Sequence, residues 1–168
     1  MFSRSILWLA WVVIAQVVQV RGSEGSHALP VLWEGRRVIG VGVAFAEETS
    51  DAPVSAFGHV FAYLCTVDAE GRPWPLDLEP AVNVAVDSKG SLWEASYHTG
   101  LMHRVLYEMM VKEGRSVVLI EVVEPEDSLE KMVLFLRSNA GIKVPYDFFR
   151  KNCGYYILQW IGTGIQKL

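Results

Sequence analysis

The amino-acid sequence predicts an α+β domain in which an antiparallel sheet packs against a helix that carries a cysteine in its first turn. Two observations predict it. Segments rich in β-branched and aromatic residues, separated by turn-forming clusters, fill most of residues 37–97 and return at 116–123. Apolar residues at three- and four-residue spacing mark helices in the second half, the last of them starting at Cys153.

The chain opens with Arg4 and then an unbroken apolar stretch, Ile6 to Ala15, continued past Gln16 by Val17 and Val18. Residues 1–22 therefore read as an export segment, either a signal peptide or a membrane anchor. The stretch is shorter than the ~20 apolar residues a spanning helix wants, which favours removal. It contains no Cys, so a lipidated N-terminus is not expected. The expected location is periplasmic or otherwise outside the cytoplasm. Residues 23–36, which begin with Ser23-Glu24-Gly25-Ser26, read as a linker, and residues 37–168 as one domain.

Within that domain, Arg37 to Phe45 is β-rich and ends at the acidic turn Glu47 to Asp51. Phe57 to Val67 (F-G-H-V-F-A-Y-L-C-T-V) is apolar on both alternating faces, as expected of a strand in mid-sheet. Glu70-Gly71-Arg72-Pro73 marks a turn. Ala81 to Val86 and Leu92 to Tyr97 flank Asp87-Ser88-Lys89-Gly90, which has hairpin composition. Met102, Val105, Leu106, Met109 and Met110 form a helical stripe within 101–111. The β run Ser116 to Val123 leads through Pro125 to a helix around Leu129 to Leu136, closed near Asn139 and Gly141.

Size and charge narrow the function classes. At 168 residues, 51% hydrophobic and 20% charged, the chain supports one well-cored domain, expected to act as a monomer. Its formal charge is −4, with acids and bases mixed and no basic run, so nucleic acid is not an expected partner. The four histidines and two cysteines show no paired ligand spacing, and neither metal nor cofactor is expected.

Chemistry concentrates in the last element. Asn152 is a good N-cap, and Cys153, Tyr156, Ile157, Trp160 and Ile161 follow at helical spacing. A thiol in a first helical turn meets the positive end of the helix dipole and its open amides, which stabilise thiolate. The competing reading is a core cysteine on an apolar stripe. For a base, His27 lies in the linker and His98 and His103 near the presumed helix, whereas His59 stands inside an apolar strand with Gly58 beside it. Strand alternation groups Phe57, His59, Phe61, Tyr63 and Cys65 on one face, and a Cys153 helix landing on that face would bring thiol and imidazole together. A Cys65–Cys153 disulfide is the alternative in an exported chain. Cys65 lies six residues, roughly 20 Å, from His59, so Cys153 cannot pair with both. To orient the imidazole, Glu94 in L-W-E-A-S-Y is the first choice, against the reading of a solvated carboxylate on an edge strand; His98 is second.

These residues resemble a family. S-A-F-G-H-V-F at Ser55 to Phe61, Glu113-Gly114-Arg115 before a strand, and Y-D-F-F-R-K-N-C-G-Y-Y-I-L at Tyr146 to Leu158 resemble the N-terminal periplasmic domain of Lnb-type lipoprotein N-acyltransferases. More broadly the chain is similar to circularly permuted NlpC-like relatives of papain, in which a G-H strand precedes an N-C helix. The resemblance implies a papain-like fold with Cys153 as nucleophile, His59 as base, Tyr146 as an oxyanion donor and Glu94, through W-E-A, as third member. It implies a thiol acyltransferase, with a phospholipid or lipoprotein as acyl donor and association with a membrane surface. The alternatives are an NlpC-like peptidase or amidase acting on peptidoglycan peptides, and a non-catalytic envelope binding protein.

Overall fold

The structure, a computed structural model, describes residues 15–18, 31–48, 58–86, 94–122 and 126–165. The apolar run at 6–14, His27, Phe57 and the turn at 87–90 lie outside the described residues. The described chain is α+β. Strands β1 (Ala15–Val18), β2 (Leu32–Trp33), β3 (Arg36–Ala46), β4 (His59–Val67), β5 (Pro80–Val86), β6 (Glu94–Leu101), β7 (Val117–Val122) and β8 (Lys143–Pro145) form one sheet. Its order is β1-β7-β3-β4-β5-β6-β8, with β2 also paired to β3. The pairs are antiparallel apart from β1 on β7, which is parallel.

Two short strands lie where periodicity gave no signal. β2 falls inside the expected linker, yet Val31 and Trp33 are buried in the core. β8 pairs with β6 and delivers the chain to the loop before the last helix. The segment Ala15–Val18, read as part of the export signal, is an edge strand along β7.

The sheet is covered on both sides, which explains why β4 is apolar on both faces. On one side, α2 (Glu126–Asn139) and α3 (Cys153–Ile165) bury Ala62 and Leu64 of β4 and Val82 and Val84 of β5 against Met132, Ile157 and Trp160. Trp160 is fully buried and its indole N–H is donated to the Met132 carbonyl at 2.8 Å, fastening α3 to α2. On the other side, Phe61, Tyr63, Ala44 and Ala46 pack under Met102, Val105, Leu106, Met109 and Met110. These five are the predicted helical stripe. They lie on α1 (Met102–Leu106) and on the wider turn, Tyr107–Lys112, that continues it, where the Glu113 N–H reaches back five residues to the Glu108 carbonyl. Tyr63 lies flat over Gly42, its partner in β3; a Cβ there would fall 2.0 Å from the ring.

This layering corrects one expectation. The α3 helix packs on the Val60, Ala62 and Leu64 side of β4, and the Phe61, Tyr63 and Cys65 side belongs to α1. The reason is volume and polarity: the helix takes the row of aliphatic side chains, whereas the aromatic row fills the gap beneath the methionine-rich helix.

Candidate active site

Cys153 is held by the loop that starts α3. The backbones of Asp147 and Lys151 exchange hydrogen bonds, and the Asn152 side-chain amide is donated to the Phe148 carbonyl. Asn152 is the predicted N-cap: its Oδ1 accepts the Tyr155 N–H at 3.1 Å. The thiol therefore emerges from the first turn of a well-formed helix, directed at the start of β4. The Val60 backbone N–H points at Cys153 Sγ at 3.4 Å.

His59 reaches the same sulfur although the helix lies on the opposite face, because it is the first residue of β4. Gly58 immediately before it has φ +71°, a conformation an L side chain rarely adopts, and turns the chain into the strand. The imidazole stacks on Phe61 with ring centroids 6.0 Å apart, and its Nε2 lies 2.8 Å from Asn83 Oδ1. An amide oxygen only accepts, so Nε2 carries the proton and Nδ1 is the basic nitrogen.

Asn83 is the site residue that the sequence reading passed over. It is the lone polar side chain in A-V-N-V-A-V, on the opposite face of β5 from the core residues Val82 and Val84. That isolation was the available signal. Glu94, expected in this role, is instead in register with Pro145 on β8 and pairs with Lys143 Nζ at 3.0 Å in an exposed ion pair. The sheet register sends it to the outer edge, and the solvated-carboxylate reading describes it. His98, the second choice, is exposed and lies 2.9 Å from Ser96 Oγ.

The electrostatics favour thiolate. Burial of Cys153 opposes ionisation, but the hydrogen bond and charge of His59, aided by the backbone N–H groups of Val60 and Gly154, outweigh it and bring the thiol below its ordinary value. Tyr146, buried beside it against Phe148, has its hydroxyl within hydrogen-bonding reach of the Cys153 backbone N–H and sulfur. Burial, then the neighbouring thiolate, push that hydroxyl up to about 12, so it stays a proton donor near neutrality. Cys65 and Cys153 are both free thiols, and the disulfide alternative falls.

A cleft of about 410 Å³ opens at this point. The β4–β5 ladder is carried by Ala62↔Val82 and Tyr63↔Ala81, and residues further toward His59 on β4 and toward Val86 on β5 line the cleft instead. Phe45, Val86, Met109 and Phe148 give it apolar walls, with Glu113 and Arg115 on one side. Arg115 is buried; its Nε is donated to the Glu47 carbonyl and its Nη1 to Glu113 at 3.0 Å, which ties the end of β3 to the segment after α1. Among the described residues, no group of three His, Cys, Asp or Glu is placed to hold a metal ion. Compared with family models, curated proteins and solved structures, the chain matches none.

Proposed function

We propose that this protein is a papain-like thiol acyltransferase working outside the cytoplasm, and that its reaction is the transfer of an acyl group to an amine, as in lipoprotein N-acylation. The observation that carries this reading is the meeting of Cys153 Sγ, at a helix N-terminus, with the Asn83-oriented imidazole of His59 and the Val60 N–H. In the reaction, Cys153 thiolate attacks the carbonyl carbon of an ester. The negative oxygen that forms is stabilised by the Tyr146 O–H and the Cys153 backbone N–H, donors that act most strongly where charge develops. Protonated His59 gives its proton to the leaving alcohol, and a thioester to Cys153 remains. An incoming amine then attacks the thioester, His59 Nδ1 takes its proton, and thiolate departs. The apolar cleft walls suit an acyl chain.

The test is mass spectrometry of the wild-type and Cys153→Ser proteins after incubation with phospholipid vesicles or with peptidoglycan fragments. An acyl mass on Cys153 from phospholipid, absent from the variant, is the expected result. An adduct from peptidoglycan alone would move the protein to the cell-wall peptidase reading, and none from either would end the enzyme proposal.

A further inference from the structure

A helix on the surface of a folded domain normally carries charge on its outer side. Helix α2 does: Asp127, Glu130 and Arg137 face solvent. Helix α3 does not. From Cys153 to Ile165 it holds no charged residue, and its outward side presents Tyr155 and Leu158, 43% and 68% exposed, three residues apart and so on one side of the helix. The loop that starts α3 continues this character. Phe149 is 81% exposed, the largest exposure among the big apolar side chains described, and it is flanked by exposed Arg150 in sequence and Lys151 next.

That loop is built to hold the ring outward. Asp147 Oδ1 accepts the Phe149 N–H at 2.8 Å, and the Asp147 carbonyl accepts the N–H groups of Arg150 and Lys151. The same turn carries Tyr146 and Asn152 on the cleft side, so the exposed ring and the nucleophile lie on one short hydrogen-bonded segment.

We propose that Phe149, Tyr155 and Leu158, with Arg150 and Lys151, form a docking face for an anionic phospholipid bilayer, which would set the mouth of the Cys153 cleft at the lipid surface. An apolar tip with adjacent cations matches the two layers of such a surface, acyl boundary beneath and phosphate above. A second copy of the chain fits less well, since a two-fold interface would set Arg150 and Lys151 against themselves. The face does not depend on the reaction proposed for Cys153.

The experiment uses the full chain with Cys65→Ser and Cys153→Ser, into which Phe149→Cys, Leu158→Cys or Glu130→Cys is introduced and labelled with an environment-sensitive fluorophore. With vesicles of phosphatidylglycerol and phosphatidylethanolamine, labels at 149 and 158 are expected to shift blue and to be quenched by acyl-chain spin labels, and the label at 130 to do neither. Phe149→Asp combined with Leu158→Glu is expected to weaken vesicle partition at least about tenfold. A label at 149 that stays aqueous in the presence of the vesicles, whether the protein binds them elsewhere or not at all, overturns the proposal. So does a blue shift without vesicles that grows with protein concentration, which would make the face a contact between copies. Because no variant carries the Cys153 thiol, a failed acyl-adduct experiment and a failed docking experiment remain separate results.

Discussion

Cys65 sits near the far end of β4, and Cys153 is pressed against the start of the same strand. Both are largely withdrawn from water, and burial alone would raise both. At Cys65 the nearby carboxylates Glu121 and Glu79 add to burial and push the thiol up to about 12. At Cys153 the imidazole of His59 and two backbone N–H groups reverse the effect. Glu79 itself is fixed by structure: it is buried, and it accepts the Thr66 N–H at 2.8 Å and the Thr66 hydroxyl at 2.7 Å. The difference teaches that thiol acidity here is set by what closes each end of one strand. Carboxylates close one end, and a helix tip with a histidine closes the other.

The largest effect expected from this contrast is in alkylation. At pH 7 a thiol held up to about 12 is ionised to only about 10⁻⁵, whereas the Cys153 thiol, brought below its ordinary value by His59 and the backbone N–H groups, ionises far more readily. Iodoacetamide followed by peptide mapping should therefore label Cys153 at least about tenfold faster than Cys65, even though the more basic thiolate is the better nucleophile once formed. Equal rates would dissolve the contrast. The sign of the pH dependence follows: Cys153 thiolate is present above its lowered value and lost as pH falls through it. The midpoint of its labelling should lie below that of a free cysteine and rise in His59→Ala.

Next in size is the imidazole and its holder. If the proposed reaction holds, loss of general acid–base help in His59→Ala should lower acyl transfer about 10² to 10⁴-fold. Asn83→Ala keeps the base and loses its orientation, so its effect should be smaller, about tenfold, with the labelling midpoint of Cys153 nearly kept. Rates measured side by side, with circular dichroism as a check on folding, separate the two. A variant at Asn83 as active as the parent would remove it from the site.

The smallest effect is at Glu94. Its ion pair with Lys143 is exposed, and pairs of this kind contribute little. Glu94→Gln should leave acyl transfer unchanged and shift stability by no more than about 0.5 kcal/mol in denaturant titration. A large loss of activity would restore Glu94 to the place now given to Asn83.

Much of the fold was legible because most elements are long enough to show a period. The methionine stripe at 102–110 and the N-cap at Asn152 both stand where spacing put them. β2 and β8, of two and three residues, are too short to show any period, and sheet register alone recruits them. His59, Tyr146 and Cys153 were legible from motif order and meet in the structure. The polar neighbour of the imidazole is harder to read from sequence, because charge in an apolar strand points to Glu94 while neutral Asn83 carries no such mark. Which of them faces the imidazole depends on where β5 and β6 lie in the sheet, and no local pattern encodes that.

Taken by itself, the order of residues determined which segments alternate with period two, which repeat near 3.6, and that a cysteine follows a capping asparagine at a helix start. These are short-range consequences of backbone geometry. Only the tertiary structure decided that α3 lies on the Val60 side of β4, that β4 and β5 line a cleft beside His59, and that Asn83 meets the ring. Those outcomes depend on which faces pair across distant parts of the chain, and they are fixed when the whole core packs at once.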